Sequence, residues 1–300
     1  MPPPGSIAVI LNLSAGKASA ESHNEHKLRA LLTATGLKAD IVVLRPGQSP
    51  ADIARQVSAH AAVVVAAGGD GTVGGVAAGV LDSPAVLGVL PLGTLNHFAK
   101  DLGIPLTLPE AVTVVANGHI DQVDVARVND RVFVNNASIG VYPDIVVARE
   151  DLRRHGHSKW MAMGIAIVRV LTRYPGVTVN IAVDGRARTW RTPFVVIANN
   201  EYGIDGPGLG ARVRLDEGKL FVYLSPRSRV RDLPLLLATA LVGRGRRSGA
   251  FEIVSATHVR IDTRTGGHIR VAIDGEVAAM NAPLRCEVRP GALRVIRPRA

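Results

Sequence analysis

The sequence predicts two domains: an α/β N-terminal domain with a parallel sheet, and a mostly antiparallel C-terminal domain built as a β-sandwich or a barrel. Three observations support this prediction. A length of 300 residues suggests two domains. Apolar runs alternate with helical segments up to a change of pattern near Val123, which is typical of parallel strands joined by helical crossovers. Beyond Val123, alternating apolar and polar runs are separated by Gly, Asn or Asp, which is typical of antiparallel strands.

The elements of the first domain follow from short apolar runs and the segments between them. We predict strands at residues 7–13, 41–44, 62–66 and 86–90. The helical spacing of Leu28, Leu31 and Leu32, with Gly36 as a stop, predicts a first helix. Further helices are predicted at residues 50–59 and 109–116. Because the strands of such a sheet are parallel, their carboxyl ends and the loops that follow should share one edge.

The second domain is predicted to be interrupted by two helices. One covers residues 160–174, and the other covers residues 232–242 with Asp232 as its N-cap and Gly243 as its stop.

Composition limits the partners and the compartment. The net charge of +10, from 35 Lys and Arg against 25 Asp and Glu, would attract a polyanion such as an anionic membrane face or a phosphorylated substrate. No basic stretch is interleaved with aromatic residues, so no nucleic-acid partner is expected. The longest apolar run, 235–242, is far shorter than a membrane span, and we expect no transmembrane segment. A single cysteine and the absence of a signal-like start favour a cytoplasmic protein.

The stretch AAGGDGTVGG, residues 66–75, predicts a phosphate-binding loop. It lies between an apolar strand and a helix, where free backbone N–H groups at the helix start attract anions. Gly68, Gly69 and Gly71 permit positive φ and let the backbone come close to a ligand. We expect Asp70 to act through a cation and Thr72 to cap the helix. The alternative is a turn that merely connects a strand to a helix.

Three other stretches carry polar groups in apolar surroundings. The turn at residues 12–17 follows the first strand, and Thr94 and Asn96 follow the fourth. Asp274-Gly275-Glu276 ends a strand of the second domain. Anion-binding amides, carboxylates for magnesium and a base for a hydroxyl are what phosphoryl transfer requires. Asp274-Gly275 is also a common hairpin signal, so Asp274 could simply shape a turn.

These residues, in this order, resemble the catalytic domain of the diacylglycerol kinase family of soluble lipid kinases, particularly its bacterial members. The resemblance covers nearly the whole chain, in the segments NLSAGK, AAGGDGTVGG, PLGTLNHFA, VDVARVNDRVFVNNASIG, LDEGKLFVY and VAIDGE. GGDGT alone is shared with NAD kinases and related phosphofructokinases, whereas the ordered set is more specific. The resemblance implies an NAD kinase/phosphofructokinase-like first domain at residues 1–123, with about 285–300 returning to it, and a β-rich acceptor domain at 124–284.

The resemblance also implies a set of functional residues. ATP would be bound by Asn12, Ser14, Gly16, Gly69, Asp70, Gly71, Thr72, Gly75, Thr94 and Asn96. Asp70 and Asp124 would belong to the carboxylate network around Mg²⁺. Glu276 would be the catalytic base, with Asp274 as the rival. A separate structural metal would be held by Glu217 and the backbone carbonyls of Arg214 and Lys219.

The chain departs from the family pattern at several positions. His97 stands where many members have aspartate, and Glu217 replaces the more usual aspartate. Residues 201–210, EYGIDGPGLG, follow Asn200 where the family often has three glycines. These differences bear on the magnesium geometry and on the lipid that is bound.

The resulting prediction is an ATP-dependent and Mg²⁺-dependent lipid kinase that phosphorylates diacylglycerol or a related lipid alcohol at a membrane surface. The segment that ends with Arg244, Arg246 and Arg247 predicts a core helix followed by a charged turn. The alternative interpretation is that these arginines dock the protein on an anionic membrane surface. The alternatives are a kinase of a soluble acceptor such as NAD, and a non-catalytic nucleotide- or lipid-sensing protein. The sequence leaves the oligomeric state open, with a homodimer as one option.

Overall fold

A computed structural model describes residues 6–13, 21–174, 176–183, 185–204, 210–212, 214–225, 229–241, 249, 251–263 and 267–299. The chain divides into two compact units. Unit 1 comprises Met1–Val125 with Arg289–Ala300, and unit 2 comprises Ala126–Val288. Among the residues just given, no helix is both long and apolar enough to span a membrane.

Unit 1 contains a parallel sheet with helices between its strands. In chain order its elements are β1 (Ile7–Leu11), α1 (Glu21–Ala34), β2 (Ala39–Val43), α2 (Pro50–Val57), β3 (Val63–Gly68), α3 (Asp70–Val80), β4 (Val86–Pro91), α4 (His97–Asp101), α5 (Leu108–Asn117) and the first part of β5 (His119–Val128). The strand order is β2–β1–β3–β4, with every neighbouring pair parallel. The chain's last strand, β16 (Leu284–Arg297), adds Val295 beside Leu87 of β4, again in parallel.

Three strands of this sheet are buried because helices pack against them. β1, β3 and β4 are buried along their whole length, which explains their continuous runs of β-branched and aliphatic residues. The predicted α/β architecture of this half is therefore confirmed.

The described residues of unit 2 form a sandwich of antiparallel strands with three α-helices. Its elements are β6 (Arg131–Phe133), β7 (Asn136–Gly140), α6 (Val141–Arg154), α7 (Lys159–Arg173), β8 (Val177–Val183), β9 (Arg186–Thr192), β10 (Phe194–Asn199), β11 (Leu220–Leu224), a short 3₁₀ turn (Val230–Asp232), α8 (Leu233–Leu241), β12 (Glu252–Ala256), β13 (His258–Thr263), β14 (His268–Ile273) and β15 (Glu276–Asn281). One sheet has the order β12–β11–β10–β7–β14–β15. In the other, β13 lies between β8 and the first half of β16, and β9 follows β8.

The two sheets of unit 2 share one core. Ile139 and Ile197 from one sheet, with Ile181 and Ile261 from the other, belong to a single cluster of buried side chains. This arrangement confirms the predicted antiparallel sandwich.

The helices of unit 2 agree only in part with the prediction. α6 was not predicted, and it begins directly at the end of β7, where Gly140 has φ +104°. The predicted helix at residues 232–242 corresponds to α8, which begins directly after Asp232. Asp232 also ends the 3₁₀ turn, and its Oδ2 accepts a hydrogen bond from the Arg229 N–H at 2.7 Å. Gly243, the predicted stop, lies outside the described residues, as do Arg244, Arg246 and Arg247.

Candidate active site

The turn between β3 and α3 is built on close backbone approach and not on positive φ. Gly69, the N-cap of α3, has φ −89° and ψ −177°, and neither Gly68 nor Gly71 has positive φ. The positive φ that these glycines permit is therefore not used in this turn. A Cβ atom on Gly68 would lie 2.6 Å from the Thr72 side chain, and a Cβ on Gly93 would lie 2.5 Å from the Gly69 Cα. The loops after β3 and β4 approach so closely that glycine is required.

Thr72 is the third residue of α3, and Gly69 is the N-cap. The prediction that Thr72 caps the helix was therefore wrong. Its side chain is buried, and its Oγ1 accepts a hydrogen bond from the Asn12 Nδ2 at 2.8 Å. This bond joins the loop after β1 to the first turn of α3. Ser14 and Gly16, which were predicted to complete the nucleotide loop, lie outside the described residues.

Asn96 fixes the loop after β4. Its backbone is left-handed with φ +51°, its Oδ1 accepts from the Gly93 N–H at 3.0 Å, and its Nδ2 donates to the Gly93 carbonyl at 3.0 Å. Asn96 is buried, whereas Thr94 is exposed. Gly75 lies further along α3, where a Cβ would meet Pro50 at 2.9 Å, so this glycine permits the packing of α3 on α2.

Asp70 is the first residue of α3 and is half-buried. Its Oδ1 accepts a hydrogen bond from the Phe98 N–H at 3.3 Å, which ties the β3–α3 turn to α4. The preceding residue, His97, is exposed. A carboxylate accepts about four hydrogen bonds or metal contacts, so Asp70 retains capacity for a ligand.

Asp124 lies in the part of β5 that belongs to unit 1, and it is buried. Its Oδ1 accepts a hydrogen bond from the Gly291 N–H at 2.8 Å. The carboxylate thereby holds the returning C-terminal segment against β5.

In unit 2, Asp274 and Gly275 form a two-residue turn between β14 and β15. Both have positive φ, +46° and +90°, as a type I′ hairpin turn requires. The Asp274 carboxylate accepts three backbone hydrogen bonds: from Val134 at 2.8 Å, from Asn135 at 2.8 Å and from Asn136 at 3.1 Å. The hairpin is thus attached to the chain that enters β7.

Burial raises the pKa of Asp274 to about 6, while the three N–H donors and the positive charge of Arg212 act in the opposite direction. Arg212 is itself buried. Its guanidinium donates to the carbonyls of Val134 at 2.6 Å and Asn199 at 2.9 Å, and to the Asn135 Oδ1 at 2.8 Å. Asp274 and Arg212, which can carry opposite charges, therefore hold the same segment, residues 134–136. Asp274 accepts from its backbone N–H groups, and Arg212 donates to its oxygen atoms. Sequence reasoning missed Arg212 because its partners are 13 to 78 positions away.

Glu276 is two residues from Asp274, and its surroundings differ. It is the exposed first residue of β15, paired with Ile273 across the hairpin. It borders a cavity of about 900 Å³ within unit 2, whose walls are α6, α7 and the β14–β15 hairpin. An exposed carboxylate at the edge of a cavity can accept a proton from a bound hydroxyl.

The predicted structural-metal residues also lie in one loop. The Glu217 N–H donates to the Asn200 Oδ1 at 2.9 Å, and its Oε2 accepts from the Glu201 N–H at 3.2 Å. The Lys219 carbonyl accepts from the Asn200 N–H at 3.0 Å. Arg214 pairs with Asp216 at 3.1 Å. Within the described part of the chain, no group of three or more His, Cys, Asp or Glu side chains could hold a metal.

Comparison with known proteins places the chain in a family. Residues 6–128 match the model of the diacylglycerol kinase catalytic domain, and residues 137–297 match that of the YegS C-terminal NAD kinase beta sandwich-like domain. A probable YegS-like lipid kinase of Pseudomonas aeruginosa is 30% identical over 264 residues, covering 85% of this chain and 82% of that protein. The chain belongs to the diacylglycerol kinase and YegS-like lipid kinase family. A Staphylococcus saprophyticus diacylglycerol kinase is 36% identical over 96 residues, which cover 31% of this chain and 32% of that protein.

The same fold occurs in solved structures. A putative diacylglycerol kinase from Bacillus anthracis superposes with a TM-score of 0.78 at 22% identity, over 98% of this chain and 95% of the other. A second Bacillus anthracis diacylglycerol kinase gives 0.73 at 20% identity, over 98% and 97%. At these identities the likeness establishes the fold of this lipid kinase family member.

The residues singled out from the sequence fall into separate local groups. In unit 1, Asn12 meets Thr72, and the Gly69 turn meets the Gly93–Asn96 loop. Asp124 contacts the C-terminal segment at Gly291. In unit 2, Asp274 and Glu276 share a hairpin, whereas Glu217 and Lys219 meet at Asn200.

Proposed function

We propose that the chain is an ATP-dependent, Mg²⁺-dependent lipid kinase that transfers the γ-phosphoryl group of ATP to the hydroxyl of diacylglycerol or a related lipid alcohol. The observation that carries the proposal is Glu276, an exposed carboxylate bordering a cavity of about 900 Å³ with both apolar and charged walls. Membership of a lipid kinase family supports it.

The β3–α3 turn fits the phosphates of ATP. α3 has 11 residues, and its N-cap, Gly69, provides no side-chain hydrogen bond. The N–H groups of a helix's first turn have no partner within the helix, and they attract anions. The bond between Asn12 and Thr72 and the contact of Gly69 with Gly93 hold the surrounding loops in place.

Asp70 fits a magnesium ion because it is a half-buried carboxylate at that helix start with acceptor capacity beyond its bond to Phe98. Mg²⁺ is usually held by one or two protein carboxylates together with substrate phosphates and water. The Asp70 carboxylate alone is therefore sufficient, even though His97 stands where many family members have a further aspartate. Bound Mg²⁺ would neutralise charge on the triphosphate during transfer.

Glu276 is the base in this proposal. The hydroxyl oxygen of the lipid forms a bond to the γ-phosphorus, the bond from that phosphorus to the β–γ bridging oxygen breaks, and the hydroxyl proton passes to the Glu276 carboxylate. The products are ADP and a phosphorylated lipid. Asp274 acts differently: it positions the hairpin that carries Glu276, because its oxygens already accept three backbone N–H groups.

The chain works at an anionic membrane surface in this proposal. Among the described residues nine large apolar side chains are exposed, and seven of them lie on α6, α7 and α8: Tyr142, Val147, Met161, Ile165, Val168, Leu235 and Leu241. Exposed apolar side chains on these helices, on a chain of net charge +10, suit peripheral binding to anionic lipid. Val168→Asp should weaken co-sedimentation with anionic vesicles, whereas unchanged binding would contradict this placement.

The assay that tests the proposed function uses radiolabelled ATP, Mg²⁺ and a mixed lipid extract, followed by identification of the labelled product. We expect label in a phosphorylated lipid. A parallel reaction with NAD and no lipid tests the soluble-acceptor alternative, in which label would appear in NADP. Nucleotide binding without label in any product would favour a sensing protein.

A further inference from the structure

Arg212 connects the loop between β10 and β11 to the segment of residues 134–136. It is buried, and it forms an isolated β-bridge with Tyr202 of the same loop. Its guanidinium carbon lies 5.6 Å from the centre of the Tyr202 ring. The Tyr202 hydroxyl in turn accepts a hydrogen bond from the Asn136 Nδ2 at 3.1 Å. Both residues of the bridge therefore bond to the segment that Asp274 also holds.

One peptide group of that segment, between Val134 and Asn135, lies between two groups that can carry opposite charges. Its carbonyl oxygen accepts from the Arg212 Nη1 at 2.6 Å, and its N–H donates to the Asp274 Oδ1 at 2.8 Å. Hydrogen bonds in such a chain polarise one another, so each is stronger than it would be alone. Arg212 thereby acts on Asp274 through a peptide group to which both side chains bond.

Asp274 is connected to Glu276 by the two-residue hairpin turn. The Asp274 N–H donates to the Asn136 carbonyl at 3.0 Å, and Ile273 pairs with Glu276 across the turn. The turn type and its length fix the register of a hairpin. A displacement of residues 134–136 would therefore also displace Glu276.

We propose that Arg212 is a positioning residue for phosphoryl transfer, because it fixes the hairpin that places Glu276 at its cavity. It acts through residues 134–136 and Asp274. This inference rests on the proposed function, and it gives the loop of residues 201–212 a role in that reaction. The donors of a guanidinium form a rigid fork, so one arginine can hold several acceptors at fixed positions.

The test is a double-mutant cycle in lipid phosphorylation, built from Arg212→Met and Glu276→Gln. If Arg212 acts by positioning Glu276, its substitution matters only while that carboxylate is present. The matched control is Thr192→Val, which also removes hydrogen bonds from the interior of unit 2. The Thr192 Oγ1 donates to the Phe194 carbonyl at 2.8 Å and accepts from the Ser225 N–H at 3.1 Å.

We expect Arg212→Met to lower kcat at least about tenfold, which is part of the roughly 10²-fold that a general base contributes. In the Glu276→Gln background the same substitution should change kcat less than about twofold. The KM for the acceptor should stay within about twofold of the wild-type value, since Arg212 does not line the cavity. Thr192→Val should keep the wild-type kcat.

Arg212→Lys keeps the positive charge and can donate to the same oxygens, although without the fork geometry. It should therefore have a higher kcat than Arg212→Met. If Arg212→Met does not fold, Arg212→Lys takes its place in the cycle, with a smaller loss that again depends on Glu276.

Amide hydrogen exchange at Asp274 tests the positioning without any substrate. We expect faster exchange of this N–H in Arg212→Met or Arg212→Lys than in the wild-type chain, and wild-type exchange in Thr192→Val. Unchanged exchange in the Arg212 variants would overturn the inference.

Other outcomes separate this inference from the proposed function. A wild-type kcat for the Arg212 variants, or an equal loss with and without the Glu276 carboxylate, would overturn the positioning role while leaving the kinase proposal standing. Failure of the wild-type chain to phosphorylate any lipid would reject the proposed function, and with it a catalytic role for Arg212.

Discussion

Asp70 and Asp274 are both aspartates next to a glycine just after a strand, yet the two carboxylates are used differently. Asp70 accepts one backbone N–H, that of Phe98, at 3.3 Å. Asp274 accepts three, all between 2.8 and 3.1 Å. Asp274 is engaged by the fold itself, whereas Asp70 retains acceptor capacity for a ligand. The comparison shows that an aspartate–glycine pair indicates a turn, and that only its hydrogen-bond partners indicate its role.

The first prediction, with the largest change, is that substitution of Asp70 lowers the turnover number. Asp70→Asn should lower kcat for lipid phosphorylation about 10³-fold, the scale seen when one electrostatic contact to a transition state is lost. Its free energy of unfolding should stay within about 0.5 kcal/mol of the wild-type value. The control is Asp82→Asn, an exposed aspartate of unit 1 that pairs with Arg289. Retention of more than about a tenth of the activity would place Asp70 with Asp274 as a structural residue.

The second prediction concerns stability. At pH 5, Asp274→Ala should lower the free energy of unfolding by about 3 kcal/mol, because three backbone N–H groups lose their acceptor. Asp70→Ala should cost less than about 1 kcal/mol, since only one long hydrogen bond is lost. Denaturant unfolding of the two variants measures the difference. Equal losses would end the distinction between the two carboxylates.

The third prediction is a pH dependence. The folded-state pKa of Asp274 is raised from 3.8 to about 6, so its protonated form is favoured by folding. This contribution to stability is fully present below pH 4 and is lost as the pH rises through 6, by about 3 kcal/mol at about 1.4 kcal/mol for each pKa unit. Subtracting the unfolding curve of Asp274→Asn isolates the step. Parallel curves for the two proteins between pH 4 and 7 would contradict it.

A smaller effect is expected from Gly93→Ala. The added Cβ would lie 2.5 Å from the Gly69 Cα, so the loops after β3 and β4 must separate. We expect the Kd for ATP to rise about tenfold, because the phosphate loop is no longer held in place. Gly164→Ala is the matched control, since its Cβ would meet nothing within 4 Å. Calorimetric titration of both variants with ATP provides the measurement, and equal affinities would contradict the packing role of Gly93.

The sequence was sufficient for the parallel sheet of unit 1. Buried β-branched runs such as those of β3 and β4, each followed by a glycine loop, predict both the strand and the sheet edge at which the loop lies. The conformation of the glycines was not predictable in the same way. Gly93 could be needed for a positive φ or for the close approach of two backbone segments. Which of these applies depends on Gly69, which belongs to another loop.

Unit 2 contains features that the sequence did not predict. α6 was missed because Pro143 and the preceding Gly140 suggest a turn among strands, although Asp144 in its first turn and Arg153 and Arg154 in its last turn are typical helix-end charges. The role of Asp274 depends on backbone groups 138 to 140 residues away. Local patterns carry no information about such contacts.

The role of Glu276 as the base is tested most directly by the phosphoryl-transfer rate of Glu276→Gln with saturating ATP and lipid acceptor. We predict a loss of at least about 10²-fold, the usual contribution of a general base, with ATP affinity unchanged. Glu252→Gln, a half-buried glutamate on β12, should retain the wild-type rate. Transfer by Glu276→Gln at the wild-type rate would show that this exposed carboxylate does not accept the proton of the lipid hydroxyl.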